Sequence, residues 1–145
     1  MPITYTNEFI NFLNDLRALL RTEFANIPIL LGDENMVTNM DTIVIEPIRK
    51  STNSEATTQK KDLTFVVSIM IYLLDANQEN AQIRLTDLTE HVEQLLLNNK
   101  KYPTDSGASW HNSEVDVAEY GQTHRGGQFI RVTRIGWSAV VRKAL

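Results

Sequence analysis

The run "DLTFVVSIMIYLLD", residues 62–75, decides the fold. One parity reads Leu63, Phe65, Val67, Ile69, Ile71, Leu73; the other reads Thr64, Val66, Ser68, Met70, Tyr72, Leu74. Strand side chains alternate between faces, so this is a strand with one uniformly apolar face and a second that is only partly polar. The residues before it, 50–61, carry no apolar side chain except Ala56. Such a segment has little to bury and reads as a flexible polar loop over 50–62.

Working outward, residues 6–26 place Phe9, Phe12, Leu13, Leu16, Leu19, Leu20 and Phe24 at spacings of three and four, which predicts an amphipathic helix. Thr6 is the expected N-cap, Tyr5 and Ile10 the expected hydrophobic staple, and Pro28 the stop. A second helix is expected over 77–99, where Ala81, Leu85, Leu88, Val92 and Leu95 step by four and three. Short strands are read at 27–31 and at 42–48 (TIVIEPI), with Pro28 and Pro47 pushing their ends to an edge or to the limit of pairing. A long loop over 98–113 is followed by an alternating strand at 114–120, a turn at 121–127 (GQTHRGG) and a final strand at 128–142.

That final strand changes parity. Ile130 and Val132 face one way, whereas Ile135, Trp137, Ala139 and Val141 face the other. Either a bulge near Thr133 re-aims the strand or both of its faces are covered. The expected fold is α/β of the α+β type: one domain over 1–145, with a mixed or antiparallel sheet of about five strands flanked by two long helices. Its order is helix, three strands, helix, two strands.

Composition narrows the functional classes. The chain's 145 residues fit one domain, and a net charge of −4 argues against a dedicated nucleic-acid binder, whose footprint is a basic patch. With no cysteine, the chain has no thiolate metal ligand, Cys nucleophile or disulfide, which points to a reducing or indifferent compartment. Neither a signal-peptide pattern nor a membrane-spanning run is read, so a cytosolic, non-membrane protein is expected.

Catalytic motifs are missing. His91, His111 and His124 lack metal-ligand spacing, and His91 is expected to face solvent on the second helix. His111 and His124 fall in expected loops near Asp105, Glu114 and Asp116, which keeps a small metal-dependent hydrolase as a distant alternative. The glycine pair of "HRGGQ" (124–128) precedes a strand rather than a helix, so it reads as a hairpin turn and not a phosphate cradle. Basic positions Lys50, Lys60, Lys61, Arg131, Arg134 and Arg142 are candidates for a subunit or partner interface, and equally for a solvated rim. Trp110 and Trp137 are core aromatics or interface anchors; the expected loop position of Trp110 favours an anchor.

The order of elements carries a resemblance. EFINFLNDLRALLRTEF, IPILL, TIVIEPI, a polar excursion, LTFVVSIMIYLLD, LTDLTEHVEQLL and the closing strands SEVDVAEY and FIRVTRIGWSAVVR together resemble the tail terminator, or tail completion, proteins of tailed bacteriophages over essentially the whole chain. The resemblance implies a structural virion protein rather than an enzyme, with no cofactor. It would form a ring, usually a hexamer, that caps the tail tube, stops its polymerisation and joins it to the head connector. Implied partners are further copies of the chain, the tube protein, a neck or connector protein and the sheath protein, with DNA only passing through the lumen. The implied location is the tail-neck region of a virion assembled in the host cytoplasm. A neck or head-tail connector subunit is the alternative of the same class. Glu114, Asp116 and Glu119 are candidates for the lumen from their charge, since an acidic channel lets DNA slide without sticking.

Overall fold

The computed structural model describes residues 2–32, 41–55, 59–102, 110–125 and 128–144. The elements are α1 (Glu8–Glu23), β1 (Ile29–Leu31), β2 (Thr42–Glu55), β3 (Lys60–Leu73), α2 (Gln78–Asn98), β4 (Trp110–Arg125) and β5 (Gln128–Ala144). They form one α+β unit whose element order is the one read from the sequence. The five strands make a single mixed sheet in the order β1-β2-β3-β5-β4, parallel between β1 and β2 and antiparallel elsewhere.

β3 lies at the centre and pairs with β5 along its whole length and with β2 from Lys60 to Tyr72. Its odd residues, Leu63 through Leu73, are all at most 1% exposed and join one core with α1 and α2. Both helices therefore cover the same face of the sheet. Burying six such side chains contributes on the order of 10 kcal/mol before entropy is counted, which makes this face the main source of stability. α1 buries Phe12, Leu13, Leu16, Leu19 and Leu20. Phe12 stacks between Phe65 and Trp137, with centroids 4.6 and 5.6 Å away, and meets the edge of Trp110. α2 buries Ala81, Leu85, Thr89, Val92 and Leu96. Thr89 Oγ1 lies 2.7 Å from the Leu85 carbonyl and shares a 3.0 Å hydrogen bond with the Thr133 hydroxyl of β5, so both buried polar groups are satisfied.

The helix start differs from the expectation. Asn7, not Thr6, caps α1, its Oδ1 accepting from the Ile10 N–H, and Tyr5 is too exposed (79%) to staple anything. His91 is half exposed yet not idle: its Nε2 lies 2.7 Å from Glu23 Oε1 and its ring meets Phe24 edge-on, which ties α2 to the end of α1.

The largest correction concerns the polar segment. Most of the segment read as a flexible loop is strand: β2 runs out to Glu55 and β3 begins at Lys60, antiparallel and paired from Thr42↔Tyr72 to Glu55↔Lys60, while residues 56–58 lie outside the described residues. Backbone pairing with the next strand supplies the order that the side chains cannot, since residues 47–54 are exposed throughout. The loop of 98–113 also shrinks. α2 ends at Asn98 and β4 starts at Trp110, where Tyr102 forms a bridge; residues 103–109, with Asp105, lie outside the described residues.

β4 continues through residues 121–125 instead of turning there, because each of them pairs with β5; the glycines at 126 and 127 lie outside the described residues. No bulge is needed in β5 either: its register with β3 is unbroken from Ala144 to Arg131. The parity change at Ile130 reflects a second small cluster on the opposite face of the sheet, built from Val44, Met70, Tyr72 and Ile130 with Leu30, Leu74 and Val132. Met70 and Tyr72, two of the apolar members of β3's second parity, are thus buried within the chain itself.

Candidate functional site

Register assigns every candidate side chain to a face, because directly paired residues point to the same side of a sheet. One face is covered by the helices. Opposite it, beyond the small apolar cluster, lies a polar face on which, among the described residues, no helix packs. Across its middle runs the row Glu46↔Ser68↔Gly136, with Asp116 beside Gly136. Glu114 pairs with Ser138 and Glu119 with Arg134, so the three acidic lumen candidates share this open face and all are exposed.

Two shallow grooves cross it. One, of about 300 Å³, has Arg49 on one wall, Glu114 and Asp116 on the other, and Val66, Gly136 and Ser138 between them. Gly136 lies close to this acid: a Cβ there would meet the Asp116 Cβ at 3.4 Å, so alanine fits at contact distance, whereas a longer side chain would crowd the carboxylate. A glycine inside an otherwise well-patterned strand is the sequence sign of such an approach; nothing in the sequence marked Arg49. The second groove, of about 270 Å³, lies between Met70, Tyr72, Glu119, Tyr120, Gln122 and Arg134.

The basic candidates do not form one patch. Lys60, Arg134 and Arg142 fall on the open side by register, whereas Lys50, Lys61 and Arg131 fall on the helix side. Arg131 is half-buried and donates to Gln78 Oε1 at the start of α2. Arg142 binds Asp62 in a bidentate pair, Nε to Oδ1 at 2.8 Å and Nη2 to Oδ2 at 3.1 Å. Those hydrogen bonds, with the charges of Arg142 and nearby His111, hold the Asp62 carboxyl below its ordinary pKa against the opposing effect of desolvation. A depressed carboxylate pKa contributes stability that is present above the unfolded value and lost as pH falls through the folded one. Arg142→Gln is therefore expected to move the Asp62 midpoint upward in an NMR titration; an unmoved midpoint would mean that the pair is not held in solution.

Trp110 is not an exposed anchor. It is 1% exposed, packs against Trp137 and Tyr102 at 5.0 and 4.8 Å, and donates from Nε1 to the Asn99 carbonyl at 2.7 Å. The strand start at residue 110, not recognised from the sequence, turns its ring onto the helix-covered face. His111 and His124 are not brought together either: they lie near opposite ends of the same strand, at about 3.3 Å per residue for thirteen residues, or roughly 40 Å. Among the described residues, no group of three His, Asp or Glu side chains could hold a metal ion, and no helix is long and apolar enough to cross a membrane.

The remaining feature is the pair of sheet edges. β1 covers β2 only from Ile43 to Ile45, which among the described residues leaves 46–55 as an outer edge with Pro47 in it. At the other end β4 is an edge of sixteen residues, met among the described residues only by the Tyr102 bridge at Trp110 and irregular between Trp110 and Asn112 and between Val115 and Ala118. Charges and bulges on both edges, with a proline on β2, are the usual means of preventing indiscriminate pairing. No model of a known protein family matches the chain, and no curated protein matches it.

Proposed function

We propose that this protein is a structural assembly subunit that forms a ring of identical copies, as the resemblance to phage tail terminators implies. In that role it caps the tail tube, ends its growth and offers the head connector a docking surface. The observation that carries the reading is the open polar face, bordered by two long, charged edges: among the described residues these edges are largely unpaired, and no catalytic constellation is assembled. Such a protomer is well supplied with surfaces for copies of itself and poorly supplied with a pocket for a small substrate. Glu46, Glu114, Asp116 and Glu119 on the open face suit a lumen along which DNA passes without being gripped.

Light scattering coupled to size exclusion tests this, alone and with purified tail-tube protein. A discrete ring, six copies being the expectation, supports the proposal, and electron microscopy of labelled particles should place it between tail and head. A chain that stays monomeric in both conditions overturns it. A ring that binds connector but never tube would identify a neck subunit instead.

A further inference from the structure

We infer that two copies of this chain pair antiparallel through residues 49–55 of β2, with Thr52 on the two-fold axis. The contact is additional to the proposed ring and does not rest on it, because a two-fold contact uses the same surface on both partners and closes on itself as a dimer.

The edge is bare where the contact falls. β1 ends opposite Ile45, and among the described residues nothing pairs with the outer side of β2 beyond it; residues 47–54 are exposed throughout. Nor does the start of α1 lie over this edge: Phe9 packs on Phe65 of β3, with centroids 4.8 Å apart, and Glu8 meets Lys143 of β5 at 3.8 Å. A row of backbone N–H and C=O groups without a neighbour is a template for another strand, and antiparallel addition is the commoner and stronger pairing.

Geometry leaves one full-length register. A two-fold axis perpendicular to the sheet keeps the open faces of both copies on one side, so residues meet only others of their own face and the axis passes through a residue. The regular run begins at Arg49, after the register break between Pro47 and Arg49, and ends at Glu55. An axis through Thr52 pairs all seven residues of 49–55, whereas an axis through Ser51 or Asn53 pairs only five, 49–53 or 51–55. Residue types agree with the longer register. At each end Arg49 meets position 55, a glutamate, and between them Lys50 meets Ser54, Ser51 meets Asn53 and Thr52 meets itself. Opposite charges and hydroxyl pairs are favourable across strands, so the mixed charge of β2 is self-complementary. β4 offers less to its own copy: it is interrupted twice, and its longest regular run, 118–125, has Gly121 near its middle, where a strand is weakest.

The chain has no cysteine, so single introduced thiols report the register. Directly paired antiparallel residues have Cα atoms about 4.5–5.5 Å apart, within disulfide reach. Mild oxidation of Thr52→Cys is therefore expected to give a covalent dimer and nothing larger. Position 50 of one copy lies about 14 Å along the strand from position 50 of the other, beyond that reach. Lys50→Cys and Ser54→Cys should each stay monomeric alone and, when mixed, give a covalent dimer with one chain of each kind. Without oxidation, sedimentation velocity should show the wild-type chain in a monomer–dimer equilibrium that Thr52→Lys shifts about fivefold toward monomer by setting like charges on the axis. Absence of covalent dimer from Thr52→Cys, or as much dimer from Lys50→Cys alone, overturns the contact, as does an equilibrium that Thr52→Lys leaves unmoved. Crosslinking through position 52 with no ring in the presence of tube protein supports this contact and removes the ring reading; a ring whose Thr52→Cys form does not crosslink does the reverse.

Discussion

Val67→Asp is expected to abolish cooperative folding at neutral pH. Val67 is 1% exposed in the middle of the central strand, in the row of β3 side chains that α1 and α2 cover. A carboxylate there gains no cationic partner among the described residues and loses its hydration. Leaving an unpaired charge in a core costs several kcal/mol, or forces the group to remain protonated at a similar cost. Against a total stability of roughly 5–15 kcal/mol, that is most or all of it. Acid should recover part of the loss by neutralising the new group. The control is one residue away: Val66→Asp points to the open face, where Val66 is half-buried and shares a groove with Arg49. It should fold, with a melting temperature lowered by only a few degrees. Equal behaviour of the two variants by thermal circular dichroism would mean that β3's two faces are not distinguished as described.

That contrast marks what was legible in the chain and what was not. The odd row of β3 and the 3.6-residue stripe of α1 were readable because each has one face in a single core, and burial imposes its period on the residues. The extension of β2 through Lys50, Ser51, Thr52 and Asn53 was not readable. Its side chains are in water on both sides, so only backbone pairing with β3 orders it, and backbone pairing leaves no mark in side-chain pattern. β4 was half legible: the alternation read over 114–120 rested on Val115 and Val117, but the irregularity between Val115 and Ala118 turns Ala118 to the core and leaves Val117 exposed, and the rest of the strand is mostly polar. The parity change at Ile130 was seen but left two explanations open. Only the strand register decides between them, in favour of a second cluster with Val44, Met70 and Tyr72. That cluster covers part of the second, only partly polar face of β3, so the proposed assembly rests on charged edges more than on greasy faces. Of the candidate site, the charges of Glu114, Asp116 and Glu119 were visible and their common face was not, because it depends on where the register of β4 slips.

The two tryptophans give the other large effect, and they should behave differently despite equal burial. Trp110→Ala is expected to cost about 3–5 kcal/mol, the usual range for emptying an aromatic site in a packed core, and to lower the melting temperature by about 10 °C or more. The loss should appear as unfolding of the protomer, not as weaker association, since the ring is enclosed by Phe12, Tyr102 and Trp137. Conservative changes separate packing from hydrogen bonding. The Trp110 indole donates to the Asn99 carbonyl at 2.7 Å, at the point where α2 ends and the chain turns toward β4. The Trp137 indole nitrogen is equally buried and has no partner among the described residues. Phenylalanine at 110 therefore shrinks the side chain and also strands a carbonyl, worth about 1–3 kcal/mol if buried without replacement. At 137 the same change shrinks the side chain but removes an unsatisfied donor, which offsets part of the cavity. Denaturant melts should rank Trp110→Phe below Trp137→Phe in stability by at least about 1 kcal/mol. The reverse ranking would mean that the Trp110 hydrogen bond is not made in solution, and that the start of β4 is held by packing alone.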